Sequence, residues 1–326
     1  MCTAITYHGH DHYFGRNLDL NYHHQEEIVI TPRHFAFDFK KEKTIADHYA
    51  IIGMAYVVNE YPLYYDAMNE KGLAIAGLNF PDNAYYAKCC QDKSNIAPFE
   101  LIPWILAQCQ NVQEAKQLLK QTNIVDFSFS AELNNAPLHW MIADAFETIT
   151  VEYMQSGLHI ENNEIGVLTN NPPFAYAKYM LNHYMALSSK QPENLFSSQL
   201  TLRPDCQGMG ALGMPGDFSS LSRFVRAAFI KMNSPQEKTE KASVHQFFHI
   251  LNAVAMPKGS VKTGNGDDIT VYSSCCNLNQ GIYYYTTYDN SCVNGVDMFL
   301  EDLDTSSLMV FALKQNDIIV QNKKNQ

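Results

Sequence analysis

The chain has no run of apolar residues near the roughly 20 needed to cross a bilayer, so a membrane-spanning helix is not expected. Behind Met1-Cys2-Thr3-Ala4-Ile5-Thr6 there is no basic start and no apolar segment. The expectation is therefore no Sec signal, no lipoprotein cysteine, and a cytoplasmic location. Cations are scarce: 23 Lys and Arg stand against 34 Asp and Glu, for a formal net charge of -11. Such a chain repels phosphate backbones and anionic lipid, which argues against nucleic acid and membrane surfaces as partners. The eight cysteines (Cys2, Cys89, Cys90, Cys109, Cys206, Cys275, Cys276 and Cys292) contain no C-x-x-C pair. No structural zinc site is signalled, and the vicinal pairs do not make a disulfide framework. Internal repeats are absent, as are linkers rich enough to mark a domain boundary.

What is there is a composition of ordinary globular type, 46% hydrophobic and 17% charged. The first twenty residues read as a hairpin, with Cys2 to Tyr7 leading out, His8-Gly9-His10-Asp11 turning, and Tyr13 to Asp19 returning. Further strands are expected at Glu27 to Thr31, Ile51 to Val58, Gly72 to Leu78, Leu138 to Ala143, Thr148 to Met154, Ile165 to Thr169, Ile269 to Cys275, Ile282 to Tyr288 and Leu308 to Leu313. Helices are expected from Pro98 to Gln108, after Asn111 as N-cap, from Pro173 toward Leu187, after Ser219 or Ser220, and after a capping box at Ser243 and Gln246. Ser189 to Pro215 is polar and Gly-rich and reads as an extended excursion. Strands and helices come in blocks rather than alternating, so antiparallel sheets covered by helices fit better than a doubly wound parallel sheet.

Position singles out Cys2. Removal of Met1 would leave a cysteine with a free α-amine, so one residue would hold both a nucleophile and a base. The reference values of amine and thiol, about 8 and about 8.5, make proton exchange between them easy. By itself a second-position cysteine is also simply a small residue opening a strand. The return strand adds Arg16, a cation that favours a thiolate, and Asp19, a carboxylate that could hold the amine. Asn79 and Asn170 each follow a strand before a Pro-containing loop, a rigid place from which to aim a donor at the oxyanion of amide hydrolysis.

These residues lie in a larger pattern. Met1-Cys2-Thr3, Phe14-Gly15-Arg16-Asn17-Leu18-Asp19, Gly77-Leu78-Asn79-Phe80, Leu168-Thr169-Asn170-Asn171-Pro172 and the run from Pro215-Gly216-Asp217-Phe218 through Ser222-Arg223-Phe224-Val225-Arg226 resemble the choloylglycine hydrolase family. The likeness is to its bile salt hydrolase branch from Gram-positive gut bacteria, and it runs in family order along nearly the whole chain. The resemblance implies an α+β fold, a four-layer αββα sandwich of two antiparallel sheets covered by helices. It implies a single N-terminal-nucleophile domain over 1–326, matured by loss of Met1, with 189–216 an oligomerisation excursion in a homotetramer. It implies hydrolysis of glycine- and taurine-conjugated bile acids without cofactor or metal.

Carried over residue by residue, Cys2 is nucleophile and base, and Arg16 and Asp19 orient and activate it. Asn79 and Asn170 form the oxyanion hole and hold the amine. Arg223 completes the site from the edge of a buried helix face. Leu18, Tyr65 and Phe129 would line the pocket, with loops near Tyr56 to Tyr65 and Phe127 to Phe129 supplying aromatic surface. Asn79 favours bile salts, because the penicillin V acylase branch typically has Tyr there. Met214 stands where Leu is usual.

Two other signals point nowhere. Gly208-x-Gly210-x-x-Gly213 lacks the preceding strand, following helix and ribose-binding acid of a dinucleotide site. His8, His10 and His12 sit in a turn without a fourth metal ligand. The rival readings are an acylase for penicillin V or acyl-homoserine lactones and, in another class, a non-catalytic bile-acid-binding protein.

Overall fold

A computed structural model of the chain describes residues 1–314. The strands in chain order are β1 (Cys2–His8), β2 (His12–Leu20), β3 (Glu27–Thr31), β4 (Ile51–Val58), β5 (Tyr61–Asn69) and β6 (Ala74–Asn79). After a short strand β7 (Ser94–Ile96) come helices α1 (Leu101–Gln108) and α2 (Val112–Lys120) and the short β8 (Thr122–Ile124). Then follow β9 (Leu138–Ala143), β10 (Thr148–Met154), β11 (Gly157–Asn162), β12 (Val167–Leu168) and α3 (Phe174–Met180). Helices α4 (Ser220–Asn233) and α5 (Glu240–Asn252) precede β13 (Lys262–Thr263), β14 (Gly266–Asp267), β15 (Ile269–Asn277), β16 (Ile282–Thr287), β17 (Asn290–Asp297) and β18 (Met309–Ala312).

A six-stranded sheet runs β12-β1-β2-β15-β16-β17 and an eight-stranded sheet runs β11-β10-β9-β6-β5-β4-β3-β18. Every pairing within the two is antiparallel. The sheets stack with Ala4, Leu18, Met54, Met68, Ala76 and Met141 between them. Phe174, Phe224 and Phe247 from α3, α4 and α5 cover the six-stranded sheet. Leu101, Ile105, Val112 and Leu119 from α1 and α2 cover the eight-stranded one. This is the expected α+β, four-layer αββα sandwich.

Several local expectations are corrected. The stretch from Tyr56 to Tyr65 is not a loop but the tip of the β4–β5 hairpin, turned at Asn59 and Glu60 with φ of 51° and 61°. Pro62 and Asp66 break the alternating pattern of β5 and hid it. β17 escaped notice because much of it is solvent-facing and polar, and β11 because it is a short, half-buried edge strand. The cap of helix α5 lies four residues before the expected one: Thr239 caps it by accepting from the Ala242 amide. Ser243 lies buried inside, where its Oγ accepts from the His10 amide at 2.9 Å. Pro173 stands at the N-cap of α3, and that helix tightens into a 3₁₀ turn at Leu181–Tyr184. The expected strand from Ile165 to Thr169 is reduced to the two residues of β12. Within 189–216 the only regular element is a 3₁₀ turn at Met209–Ala211.

Candidate active site

Cys2 opens β1, which lies between β12 and β2, and it faces Leu18 across the ladder while Ala4 faces Arg16. Paired residues of an antiparallel ladder point to one side. Cys2, Leu18 and Arg16 therefore share the side between the sheets, and Thr3, Asn17 and Asp19 share the side under the helices. The sulfur-bearing residue stands where these two polar clusters meet, 3% exposed.

On the inter-sheet side Arg16 is fully buried. Its Nη1 donates to the carbonyls of Tyr65, at 3.1 Å, and Gly77, both on the opposite sheet, and its Nε donates to Asn17 O at 3.4 Å. Nη2 has no hydrogen-bond partner. Burial works to discharge this guanidinium, but Cys2, Tyr272, Asp66 and Asp19 outweigh it, so Arg16 is held above its ordinary range. Gly15 lets the ladder close here, because a side chain in its place would meet Ser274 O at 2.0 Å.

On the helix side Asp19 is also fully buried. Its Oδ1 accepts from Thr270 Oγ1 at 2.6 Å, and its Oδ2 lies 3.9 Å from Arg223 Nη1 without a hydrogen bond. Burial pushes the Asp19 carboxyl above its usual range, against the pull of Arg223 and Thr270.

Arg223 was expected at the edge of a buried face and is instead completely enclosed. The Ser219 cap and the apolar stripe of α4 aim it inward. Nη1 donates to Cys2 O and, at 2.7 Å, to Thr3 Oγ1; Nη2 donates to Asn170 Oδ1 at 2.8 Å, and Nε to Phe218 O at 3.1 Å. Burial lowers its affinity for its proton, and Asp19 and Cys2 restore part of it.

Asn170 is the hub. Its Oδ1 accepts from Cys2 N at 2.9 Å as well as from Arg223, and its Nδ2 donates to Asn79 O at 2.6 Å. Asn79 closes β6 and turns its side chain out to solvent. Met1 lies across the mouth: its ammonium donates to Asp19 O and stands 3.6 Å from Asp268 Oδ2, while its carbonyl accepts from Asp19 N at 2.8 Å.

Cys2, Arg16, Asp19, Asn170 and Arg223 thus form one connected cluster, with Asn79 at its rim. Of the pocket expectations, Tyr65 and Phe129 line one cavity of about 200 Å³, together with Tyr56, Phe99, Trp140 and Gly77. Gly77 links this cavity to the cluster through its carbonyl on Arg16. Leu18 does not line it; it is packed in the core beside Cys2. A larger groove of about 980 Å³ lies on the helix side, where Thr270 joins it to Asp19. The sequence reading missed Thr270, Asp268 and Asp66, which are polar residues on or beside otherwise apolar strands. A carboxylate interrupting a buried strand was the available signal.

The model of the linear amide C–N hydrolases of the choloylglycine hydrolase family matches residues 2–311. The chain is 51% identical over 315 residues to a bile salt hydrolase/transferase of Lactiplantibacillus plantarum, covering 96% of this chain and 97% of that protein. It is 39% identical to a bile salt hydrolase/transferase of Clostridium perfringens, over 95% and 96% of the two. Among solved structures, a variant of conjugated bile acid hydrolase from Clostridium perfringens superposes with a TM-score of 0.92 at 37% identity, over 99% of this chain and 100% of that one. A penicillin V acylase from Agrobacterium tumefaciens has the same fold, with a TM-score of 0.76 at 21% identity over 98% and 94%.

Proposed function

From the premise that the chain belongs to the choloylglycine hydrolase family of linear amide C–N hydrolases, we propose that it cleaves the amide joining a bile acid to glycine or taurine, using Cys2 freed of Met1. The observation that carries the mechanism is the shell around Cys2 N. Asn170 Oδ1 accepts from it at 2.9 Å, and Asp19 Oδ2 lies buried nearby without a hydrogen-bond partner. A free ammonium has three N–H donors, and such acceptors suit it. In its neutral form it takes the thiol proton, and the thiolate attacks the amide carbon. The ammonium then protonates the departing glycine or taurine nitrogen. Water, activated by the same amine, hydrolyses the thioester.

Asn170 Nδ2 is engaged by Asn79 O, so Asn170 chiefly orients the amine, and the outward Asn79 side chain is the readier donor to the oxyanion. Arg16 faces the thiolate from below. Arg223 ties Cys2 O, Thr3 and Asn170 into one rigid unit. The cavity edged by Tyr65 and Phe129 offers an apolar wall for a steroid body.

The proposal extends to the chain as a whole: one N-terminal-nucleophile domain, in a cytoplasmic homotetramer. Among the described residues no disulfide joins the eight cysteines, four of which are exposed, and that suits a reducing compartment. Leu195, Phe196 and Leu212 stand 80–90% exposed within 189–216, an apolar surface that a second copy would cover. The test compares release of glycine from glycocholate and taurine from taurocholate with hydrolysis of penicillin V. Faster turnover of the bile salts is expected. Cleavage of penicillin V alone, or bile-salt turnover that survives Cys2→Ala, would overturn the reading.

A further inference from the structure

Each sheet sends one charge into the other. Arg16, on β2 of the six-stranded sheet, reaches the Tyr65 and Gly77 carbonyls of the eight-stranded sheet. Asp66, on β5 of the eight-stranded sheet, is fully buried and reaches the other way. Its Oδ1 accepts from Tyr272 OH at 2.5 Å, and its Oδ2 accepts from Tyr283 OH at 2.7 Å and Ser274 Oγ at 2.9 Å. The same Ser274 Oγ accepts from the Arg16 amide at 3.1 Å. The residue before Asp66, Tyr65, provides one of the carbonyls that hold the guanidinium. Asp66 and Arg16 are therefore joined through Ser274 on one side and through the Tyr65 carbonyl on the other.

Burial pushes the Asp66 carboxyl above its usual range, and Arg16 together with the three hydroxyl donors pulls the other way, toward the charged form. A buried charge pair seldom adds stability over apolar packing of the same volume, so its retention calls for another reason. The charges around Cys2 suggest one. Arg16, Arg223 and the freed ammonium face Asp19 and Asp66, with Asp268 at the mouth. Asp66 is the carboxylate that reaches Arg16 from the opposite sheet, so its removal makes the field beneath Cys2 more positive by one charge.

We propose that Asp66 is a positioning residue for the reaction: the buried counter-charge that fixes Arg16 beneath Cys2 and limits the positive field there. The inference rests on Cys2 as nucleophile. A field too strong would form the thiolate more readily but leave it a poorer nucleophile toward the amide carbon. The groups facing the pair are Tyr65 on its own strand, Tyr272 and Cys276 on β15, Tyr283 on β16, and Arg16 and Asp19 on β2, with Cys2 on β1 and Arg223 on α4 beyond it.

Asp66→Asn keeps the volume and removes the charge. In the mature enzyme, the pH at which Cys2 alkylation by iodoacetamide reaches half its maximal rate is expected to fall by about one unit. With glycocholate, kcat is expected to drop by about tenfold with KM within about twofold. Tyr272→Phe and Tyr283→Phe, each removing one hydroxyl from the carboxylate, should move the alkylation curve the same way by less. They decide the matter if Asp66→Asn does not fold. Variants that melt at a lower temperature yet keep the wild-type alkylation curve and kcat would reduce Asp66 to a packing role and overturn the proposal. A wild-type protein inert toward glycocholate would overturn the hydrolase reading instead, and the alkylation comparison would still judge Asp66.

Discussion

The two faces of the eight-stranded sheet are built on opposite terms. Toward α1 and α2 it presents Val29, Ile51, Leu73, Ile75 and Ile142, packed against Leu101, Ile105 and Leu119. Toward the six-stranded sheet the neighbours on the same strands are Met54, Met68 and Ala76, but Asp66 stands among them and Arg16 enters from across. One face is dominated by apolar area removed from water, the main source of folding free energy. The other holds an arginine and a carboxyl group that cost free energy to bury and are kept by hydrogen bonds. Alternation along a strand lets a single sheet do both, because successive residues in regular register point to opposite faces, a pattern that the bulge at Tyr65 interrupts.

Substitutions on the two sides should separate activity from stability. The largest effect is expected for Cys2→Ala, which should cut glycocholate turnover by more than about 10³-fold while the melting temperature stays close to wild type. Arg223→Met comes next. It leaves Asp19 buried without its cation, which should cost about 3–5 kcal/mol in urea titration and reduce kcat/KM by roughly 100-fold. On the apolar face, Ile105→Ala should cost a similar 2–5 kcal/mol or so through the cavity it opens, with kcat/KM of the folded enzyme unchanged. A loss of activity in Ile105→Ala at a temperature where it is folded would erase the distinction between the faces.

The smallest effect belongs to the rim, where Arg33 holds Glu70 at 2.6 Å. Burial alone would raise the Glu70 carboxyl, but Arg33 and the Ala50 amide bring it below its ordinary value of 4.5. Its contribution to stability is therefore complete above that ordinary value and lost as pH falls through the depressed one. Glu70→Gln should melt about 1–3 °C lower near neutrality. The two melting curves should converge in acid, and parallel curves down to the lowest pH would refute the assignment.

The sequence made the local parts of this arrangement legible. Cys2, Arg16 and Asp19 lie on one hairpin, so pairing alone brings them together. The cap of α2 was visible in Asn111, which accepts from the Glu114 amide at 3.0 Å. Helix α4 was visible in its apolar stripe and in Ser219. Asn170 and Arg223 reach Cys2 from 168 and 221 residues away. No periodicity encodes that; only likeness to a family suggested it. Asp66 and Thr270 were not legible at all. On a strand, a carboxylate facing a buried arginine and one facing water follow the same alternation, and only the stacking of a second sheet tells them apart. That stacking also explains why β5, interrupted by Pro62 and Asp66, was read as loop.

The seat of Met1 has a practical consequence. With its ammonium on the Asp19 carbonyl and its own carbonyl on the Asp19 amide, the initiator residue fits the ladder instead of disrupting it. On the proposed mechanism, an untrimmed molecule is expected to fold and melt normally and to lack activity. Rapid overproduction that outruns the host's aminopeptidase would yield a mixture of working and silent copies alike in size and shape. Specific activity would then measure the trimming history of the batch. A burst titration of acylable thiols gives the proper denominator, and an affinity handle fused ahead of Cys2 would silence every copy.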